Sequence, residues 1–303
     1  MSIPLFFVLT LCPNGDYMER FIAFADRTVS RCACPNIKKF VLHFYHDPGA
    51  KNGPSLNEMF FNWVHCALRI MWNFCNYKYS ALKLSRLSDW PSMRSLHMKR
   101  VEINNEQMAK LISGCPQLET MFLDRIQPII TSLNVTWKIL KTLKLKYVNR
   151  EDDEVPLHIK AHWLQELIIT KKYRGFNCRF LDMSSLKKAH LSFTVFGIVD
   201  EDDWVDVQRF NVATELLKSV CNVEELMIGP VLIHALSILK LLHKSSPKFK
   251  CKRVSVYVPI SKYDVPGLAC LLHNSPLLET LLIKVVNGRK KVCFFTSRSA
   301  LCY

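Results

Sequence analysis

The chain has 303 residues, 49% of them hydrophobic, which is enough for one to three packed cores and excludes a disordered chain. Only 9 glycines are present, too few for phosphate-cradling loops or for the tight turns of a hairpin-rich all-β protein. The formal net charge of +15 points to acidic partners or to a solvated basic surface. The 12 cysteines contain no C-x-x-C pair and read as buried free thiols of a reducing compartment.

The first residues, MSIPLFFVLTLC, match a signal h-region in length but lack a positive n-region and a small-x-small cleavage site. No run approaches the ~18 apolar residues of a membrane span. The longest, 231–242, is interrupted by His234, Ser237 and Lys240.

One stretch sets the pattern for the rest. Residues 111–123 read LISGCPQLETMFL, and the same register returns at 271–283 as LLHNSPLLETLLI. It returns without the proline at 216–228, LLKSVCNVEELMI, and weakly at 30–42, SRCACPNIKKFVL. An apolar pair suits a helix end, the proline stops the helix, and apolar residues at x, x+3 and x+5 suit a half-buried strand. Such triplets begin at Ile37, Tyr79, Met93, Leu118, Leu140, Leu164, Leu186, Val223, Cys251 and Leu278. Between Met93 and Leu186 the steps are 25, 22, 24 and 22 residues, inside the window of a leucine-rich repeat.

Helices are expected over 55–71, from the cap Asn104 through Ile112, and over 206–220, 231–243 and 266–272. The acidic runs 151–154 and 200–203 read as exposed loops, and the middle repeats should carry loop or 3₁₀ structure opposite the strands. The fold class is therefore α/β. It is expected to be a leucine-rich-repeat solenoid with a curved parallel sheet on its concave face and helices or loops on its convex face.

In that register x+2, x+4 and x+6 point out of the sheet. The central row is Val41, Lys83, His97, Phe122, Lys144, Ile168, His190, Met227, Ser255 and Leu282. Lys99, Asp124, Lys146, Lys188, Arg253, Tyr257 and Lys284 flank it. From these, the candidate partner-binding set is Lys83, His97, Lys99, Phe122, Asp124, Lys144, Lys146, Ile168, Lys188, His190, Met227 and Tyr257. A mixed apolar and basic strip suits an acidic peptide or an anionic ligand, or is simply a solvated sheet face.

No G-x-S-x-G, H-E-x-x-H, Walker A or G-x-G-x-x-G motif occurs, so no catalytic residue, metal or cofactor is assigned. His43 and His46 lack further ligands apart from Asp47, and the acidic runs are solvated charge rather than a pocketed pair. Lys248, Lys250, Lys252 and Arg253 alternate into a strand and read as edge protection rather than nucleic-acid contact. Arg289-Lys290-Lys291 is a weak nuclear-import signal.

Residues 21–45, 90–123 and 261–284 resemble the plant F-box proteins with leucine-rich repeats and a C-terminal FBD region. The signatures are G-C-P-x-L-E at Gly114–Glu119 and N-S-P-x-L-E at Asn274–Glu279, and the likeness runs from about Phe21 to Lys291. The resemblance implies repeats that recruit a protein target to a cullin ubiquitin ligase, with an F-box docking on a Skp-type adaptor. Residues 1–27 do not match a three-helix F-box and are expected to be a linker remnant. Residues 28–247 would be repeats, and 248–303 FBD-like repeats continuing the solenoid. The adaptor would engage only a longer isoform. The expected role is a non-catalytic recognition module of the cytoplasm and/or nucleus, without membrane or cofactor. Its rivals are a sensor for a small anion and a basic nucleic-acid-binding protein.

Overall fold

A computed structural model describes residues 5–11, 37–45, 69–75, 80–81, 90–126, 132–134, 138–146, 157–172, 178–194, 207–258, 264–285, 292–296 and 299–302. They fall into two compact units, Met1–Asn149 and Arg150–Tyr303, so the division lies inside the expected repeat segment 28–247.

Six rungs are set by a turn. The N–H of residue x donates to the carbonyl of x−3: Met93 to Trp90, Leu118 to Cys115, Leu164 to Ala161, Leu186 to Met183, Val223 to Val220 and Leu278 to Ser275, at 3.1–3.4 Å. Pro91, Pro116 and Pro276 occupy the second turn position, where the ring's fixed φ fits and a missing N–H costs nothing. The proline of the repeat is thus the residue that opens the turn into the strand, as well as a bar to further helix.

The first unit contains β1 (Leu5–Leu11), β2 (Ile37–Tyr45), β3 (Arg69–Cys75), β4 (Ser80–Ala81), β5 (Ser95–Lys99), β6 (Val101–Glu102), α1 (Asn105–Ser113), β7 (Thr120–Asp124), β8 (Ser132–Asn134) and β9 (Thr142–Lys146). Strands β1, β2, β3, β5, β7 and β9 form a parallel sheet in that order. Strand β4 pairs with β6 in a separate two-stranded sheet.

Two expectations are corrected here. Residues 69–71 are strand, not the end of a helix over 55–71, and the rung before β5 is β3. Ile70 and Trp72 stand opposite Leu96 and Met98, 26 residues on, a full turn of the repeat. The triplet at Tyr79 lies only 14 residues before Met93, too few for the chain to leave the sheet and return. Tyr79, Leu82 and Leu84 lie outside the described residues, and the neighbouring Ser80 and Ala81 pair with β6. Residues 5–11 of the N-terminal run, expected as linker remnant, are also strand. Its apolar residues form β1, with Phe7 opposite Phe40 and Leu9 opposite Leu42.

Helix α1 begins as its cap predicts. Asn104 Oδ1 accepts from the Gln107 N–H at 2.8 Å, and Gln107 Oε1 accepts from the Asn104 N–H at 2.9 Å. Met108, Leu111 and Ile112 are its buried stripe.

The second unit contains β10 (Leu157–Lys160), β11 (Glu166–Lys172), β12 (Cys178–Leu181), β13 (Lys188–Thr194), α2 (Val207–Ser219), β14 (Glu225–Ile228), α3 (Pro230–Leu241), β15 (Arg253–Val258), α4 (Val265–His273), β16 (Thr280–Val285), β17 (Val292–Thr296) and β18 (Ser299–Cys302). Strands β11, β13, β14, β15 and β16 are parallel neighbours. Strands β16, β17 and β18 pair antiparallel, so a hairpin and not a further parallel rung follows β16. Away from this sheet β10 pairs parallel with β12, where loop or 3₁₀ structure was expected. Alternation in LHIK pairs with alternation in CRFL, leaving Leu157, Ile159 and Cys178 buried.

All triplet residues from Met93 to Val256 are at most 6% exposed. Each large apolar member contributes about 1.5–3 kcal/mol on burial. Cys115, Cys178, Cys251 and Cys270 are buried free thiols, and burial pushes the Cys115 thiol up to about 12, far from a reactive thiolate. Helices α3 and α4 meet at backbone distance. A Cβ on Gly267 would clash with the Ile233 carbonyl and lie 2.5 Å from Ser237 Oγ.

Gly267→Ala is therefore expected to lower the unfolding free energy by about 1–3 kcal/mol in denaturant titration. An unchanged midpoint would contradict the close approach. Asn104→Ala should cost about 1 kcal/mol by loss of the cap, read in the same assay.

Candidate recognition face

The sheet face is the surface on which the predicted residues gather. Its geometry follows from the register, and each unit is taken by itself.

In the first unit His97, Phe122 and Lys144 are opposed across β5, β7 and β9, and Lys99, Asp124 and Lys146 form the next row. The rings of His97 and Phe122 lie with centroids 4.1 Å apart, tilted by 37°. His97 Nε2 is enclosed and has no hydrogen-bond partner among the described residues. Burial, helped by the charge of Lys99, draws the His97 pKa down to about 4, so the ring is neutral at pH 7.

Asp124 departs from expectation. It stands on this face by register but is only 4% exposed and does not project toward a partner. Arg125 Nη1 donates to its Oδ2 at 3.4 Å and lies 3.4 Å from Oδ1. The cause is local: Arg125 adopts φ 54°, in the left-handed region, which ends the strand and aims its N–H at the Lys146 carbonyl, 2.8 Å away. Arg100 repeats the device one rung earlier, with φ 57° and its N–H 2.8 Å from the Asp124 carbonyl.

In the second unit the central row is Ile168, His190, Met227, Ser255 and Leu282, all half-buried and one per strand from β11 to β16. Beside it runs the row Glu166, Lys188, Glu225, Arg253 and Thr280. Glu225 Oε1 lies 3.0 Å from Lys188 Nζ and also bonds Arg253 Nη2. The Arg253 hydrogen bond, then that of Lys188, holds the Glu225 carboxyl below its ordinary pKa. On the far side Lys284 Nζ donates to Tyr257 Oη at 2.7 Å, and the His190 and Tyr257 rings lie nearly parallel at 6.3 Å. Burial lowers the His190 pKa, opposed by Glu166 and assisted by Lys284.

The structure thus brings His97, Lys99, Phe122, Lys144 and Lys146 onto one face of the first unit, and Ile168, Lys188, His190, Met227 and Tyr257 onto one face of the second. Lys83 lies outside the described residues. Lys99 and Lys146 flank Asp124, Lys144 stands in the neighbouring row, and Lys188 is held by Glu225.

Sequence reasoning missed Glu225. Its position at x+2, between two basic residues at x+2 of adjacent rungs, was the available signal. It also missed a cluster on two adjacent turns of the second unit. His162 Nδ1 lies 2.8 Å from Asp182 Oδ1 and 2.9 Å from Ser184 Oγ. Both partners converge on the same ring nitrogen, whereas a nucleophile–base–acid relay uses opposite nitrogens. A neighbouring cavity of about 260 Å³ is lined by Phe180, Asp182, Ser184, Ser219 and Val223, among others. No group of three or more His, Cys, Asp or Glu among the described residues is arranged to hold a metal ion. No helix among them is long and apolar enough to cross a membrane.

A family model described as At1g61320/AtMIF1, LRR domain, matches residues 69–301. Similar curated proteins, all from Arabidopsis thaliana, include the probable F-box protein At1g60180, 28% identical over 199 residues that cover 66% of this chain and 60% of the relative. The F-box/LRR-repeat protein At3g03360 is 28% identical over 210 residues, 69% of this chain and 42% of the relative. The putative F-box/LRR-repeat protein At5g02930 is 26% identical over 234 residues, 70% and 48% respectively. The matched part of the chain therefore spans about two-fifths to three-fifths of these relatives' length. No solved structure matches.

The His97 geometry gives a pH test. A pKa of about 4 in the fold, against 6.5 when unfolded, means the folded state resists protonation. The stabilisation is complete above pH 6.5 and is lost as pH falls through about 4. In a histidine NMR titration the His97 ring should stay neutral at pH 5. His97→Phe should move the acid-unfolding midpoint to lower pH, and a ring titrating near 6.5 would contradict the enclosure.

Proposed function

We propose a non-catalytic recognition role, and its premise is plain: the chain belongs to the At1g61320/AtMIF1 leucine-rich-repeat family and is related to plant F-box/LRR-repeat proteins. The ligand is a protein target, and it binds on the sheet face. The observation that carries this reading is the row Ile168, His190, Met227, Ser255 and Leu282, an uncharged strip of half-exposed side chains held one per strand by a hydrogen-bonded ladder. Rigid presentation lowers the ordering cost of binding, which is what a recognition scaffold requires. In the first unit His97 and Phe122, with rings in tilted contact, offer an aromatic anchor.

The relatives carry F-box names, so the chain is read as the target-binding part of an SCF-type ubiquitin-ligase receptor. An F-box in a longer polypeptide would supply the contact to a Skp-type adaptor. The setting is the cytoplasm and/or the nucleus. The rival readings, an anion sensor and a nucleic-acid binder, need free basic residues. Two of the face's cations, Lys188 and Arg253, already share the Glu225 carboxylate.

Affinity capture from plant extract with quantitative mass spectrometry tests the role. Phe122→Glu and Met227→Glu should each lower recovery of a common partner about tenfold or more, while Lys110→Glu on the helix side should leave it unchanged. Equal recovery with all three variants would refute the face as the binding surface. The rivals are tested on immobilised heparin. Glu225→Gln should raise the salt needed for elution by releasing two cations, and a wild-type chain that already elutes steeply late would favour the polyanion reading.

A further inference from the structure

We propose that the sheet face of the second unit receives an amphipathic α-helix of the target, lying across β11, β13, β14, β15 and β16 with one uncharged side chain per turn over each strand. The inference rests on the recognition role above and names the form and chemistry of the partner.

The first argument is backbone chemistry. An extended segment docks on a sheet by completing its edge with main-chain hydrogen bonds. Strands β13, β14, β15 and β16 are each paired on both sides, so this face offers no free backbone groups. A partner laid flat on it must bring a backbone already satisfied within itself, as a helix does.

The second argument is spacing. The central row places Ile168, His190, Met227, Ser255 and Leu282 on successive strands, which repeat at about 4.8 Å. A helix repeats at about 5.4 Å per turn, so it slips about 0.6 Å per strand and about 2.4 Å over the whole row, a third of the slip of an extended chain. Same-side residues of an extended chain repeat at about 6.6 Å and fall out of phase within two strands. Five strands span about 19 Å, matched by about 13 helical residues.

The third argument is charge. The row beside the strip holds two acids and two bases, and Glu225 already binds both Lys188 and Arg253. Lys284 is turned onto Tyr257. A carboxylate or ammonium pressed over Met227 would lose its water without gaining a free counter-ion. The stripe that meets this row is therefore uncharged, and the partner's charges lie on the solvent side of its helix.

The test uses the full chain carrying a photo-crosslinking benzoylphenylalanine at Ile168, Met227 or Leu282, irradiated in plant extract, with adducts mapped by mass spectrometry. Unfolding midpoints close to wild type check that each substituted chain folds. Ile168 and Met227 are two strands apart, as are Met227 and Leu282. A helix places the successive adduct sites on the partner about seven residues apart, and an extended segment about three. Spacing near seven, on a stretch with no charged residue on the crosslinked side, is the expected result. Spacing near three, or adducts scattered over distant segments, overturns the helix and leaves the recognition face standing. Absence of adducts at all three positions overturns both.

Discussion

One hydrogen-bond arrangement holds the rungs together. The carbonyl of residue x+1 in one rung accepts the N–H groups of both x+1 and x+2 in the next. Arg94 accepts from Glu119 and Thr120, Glu119 from Lys141 and Thr142, and Gln165 from Lys187 and Lys188. Lys187 accepts from Glu224 and Glu225, Glu224 from Lys252 and Arg253, and Lys252 from Glu279 and Thr280. The shared acceptor fixes the start of each of these strands against its neighbour. A slip of one residue would turn the buried triplet to solvent, so the register is defended by the core as well as by the ladder.

Everything on the sheet face inherits that register. Because x+2 of each rung stands beside x+2 of the next, Lys188 and Arg253 meet and share the Glu225 carboxylate. Because x+4 stands beside x+4, His97 lies on Phe122 and the uncharged row of the second unit is continuous. The far ends of the first-unit strands are closed by Arg100 and Arg125 in the left-handed region, and this turn of the backbone sets Arg125 beside the buried Asp124. On the second unit's face two of the basic side chains, Lys188 and Arg253, thus meet an acidic partner across the strands.

The opposite side is less uniform, and packing explains why. Where the sequence between strands is long enough, helices form, and α3 and α4 approach closely enough that only glycine fits at position 267. Around β10 and β12 a second parallel ladder satisfies the backbone instead.

The sequence by itself determined the triplet, its repeat length and the α/β class, because apolar periodicity and a proline at the turn are local properties that neighbours only reinforce. The cap at Asn104 was legible for the same reason. Tertiary structure alone decided which runs became adjacent strands. Residues 69–75 won the place given to the triplet at Tyr79, since only they are a full turn away from β5, and 5–11 joined as a further rung. It also decided the chemistry of the candidate face. Counting residue types predicted a mixed apolar and basic strip, but whether a charge is partnered depends on what stands one strand over, and Glu225 takes up that role only when the rungs are stacked.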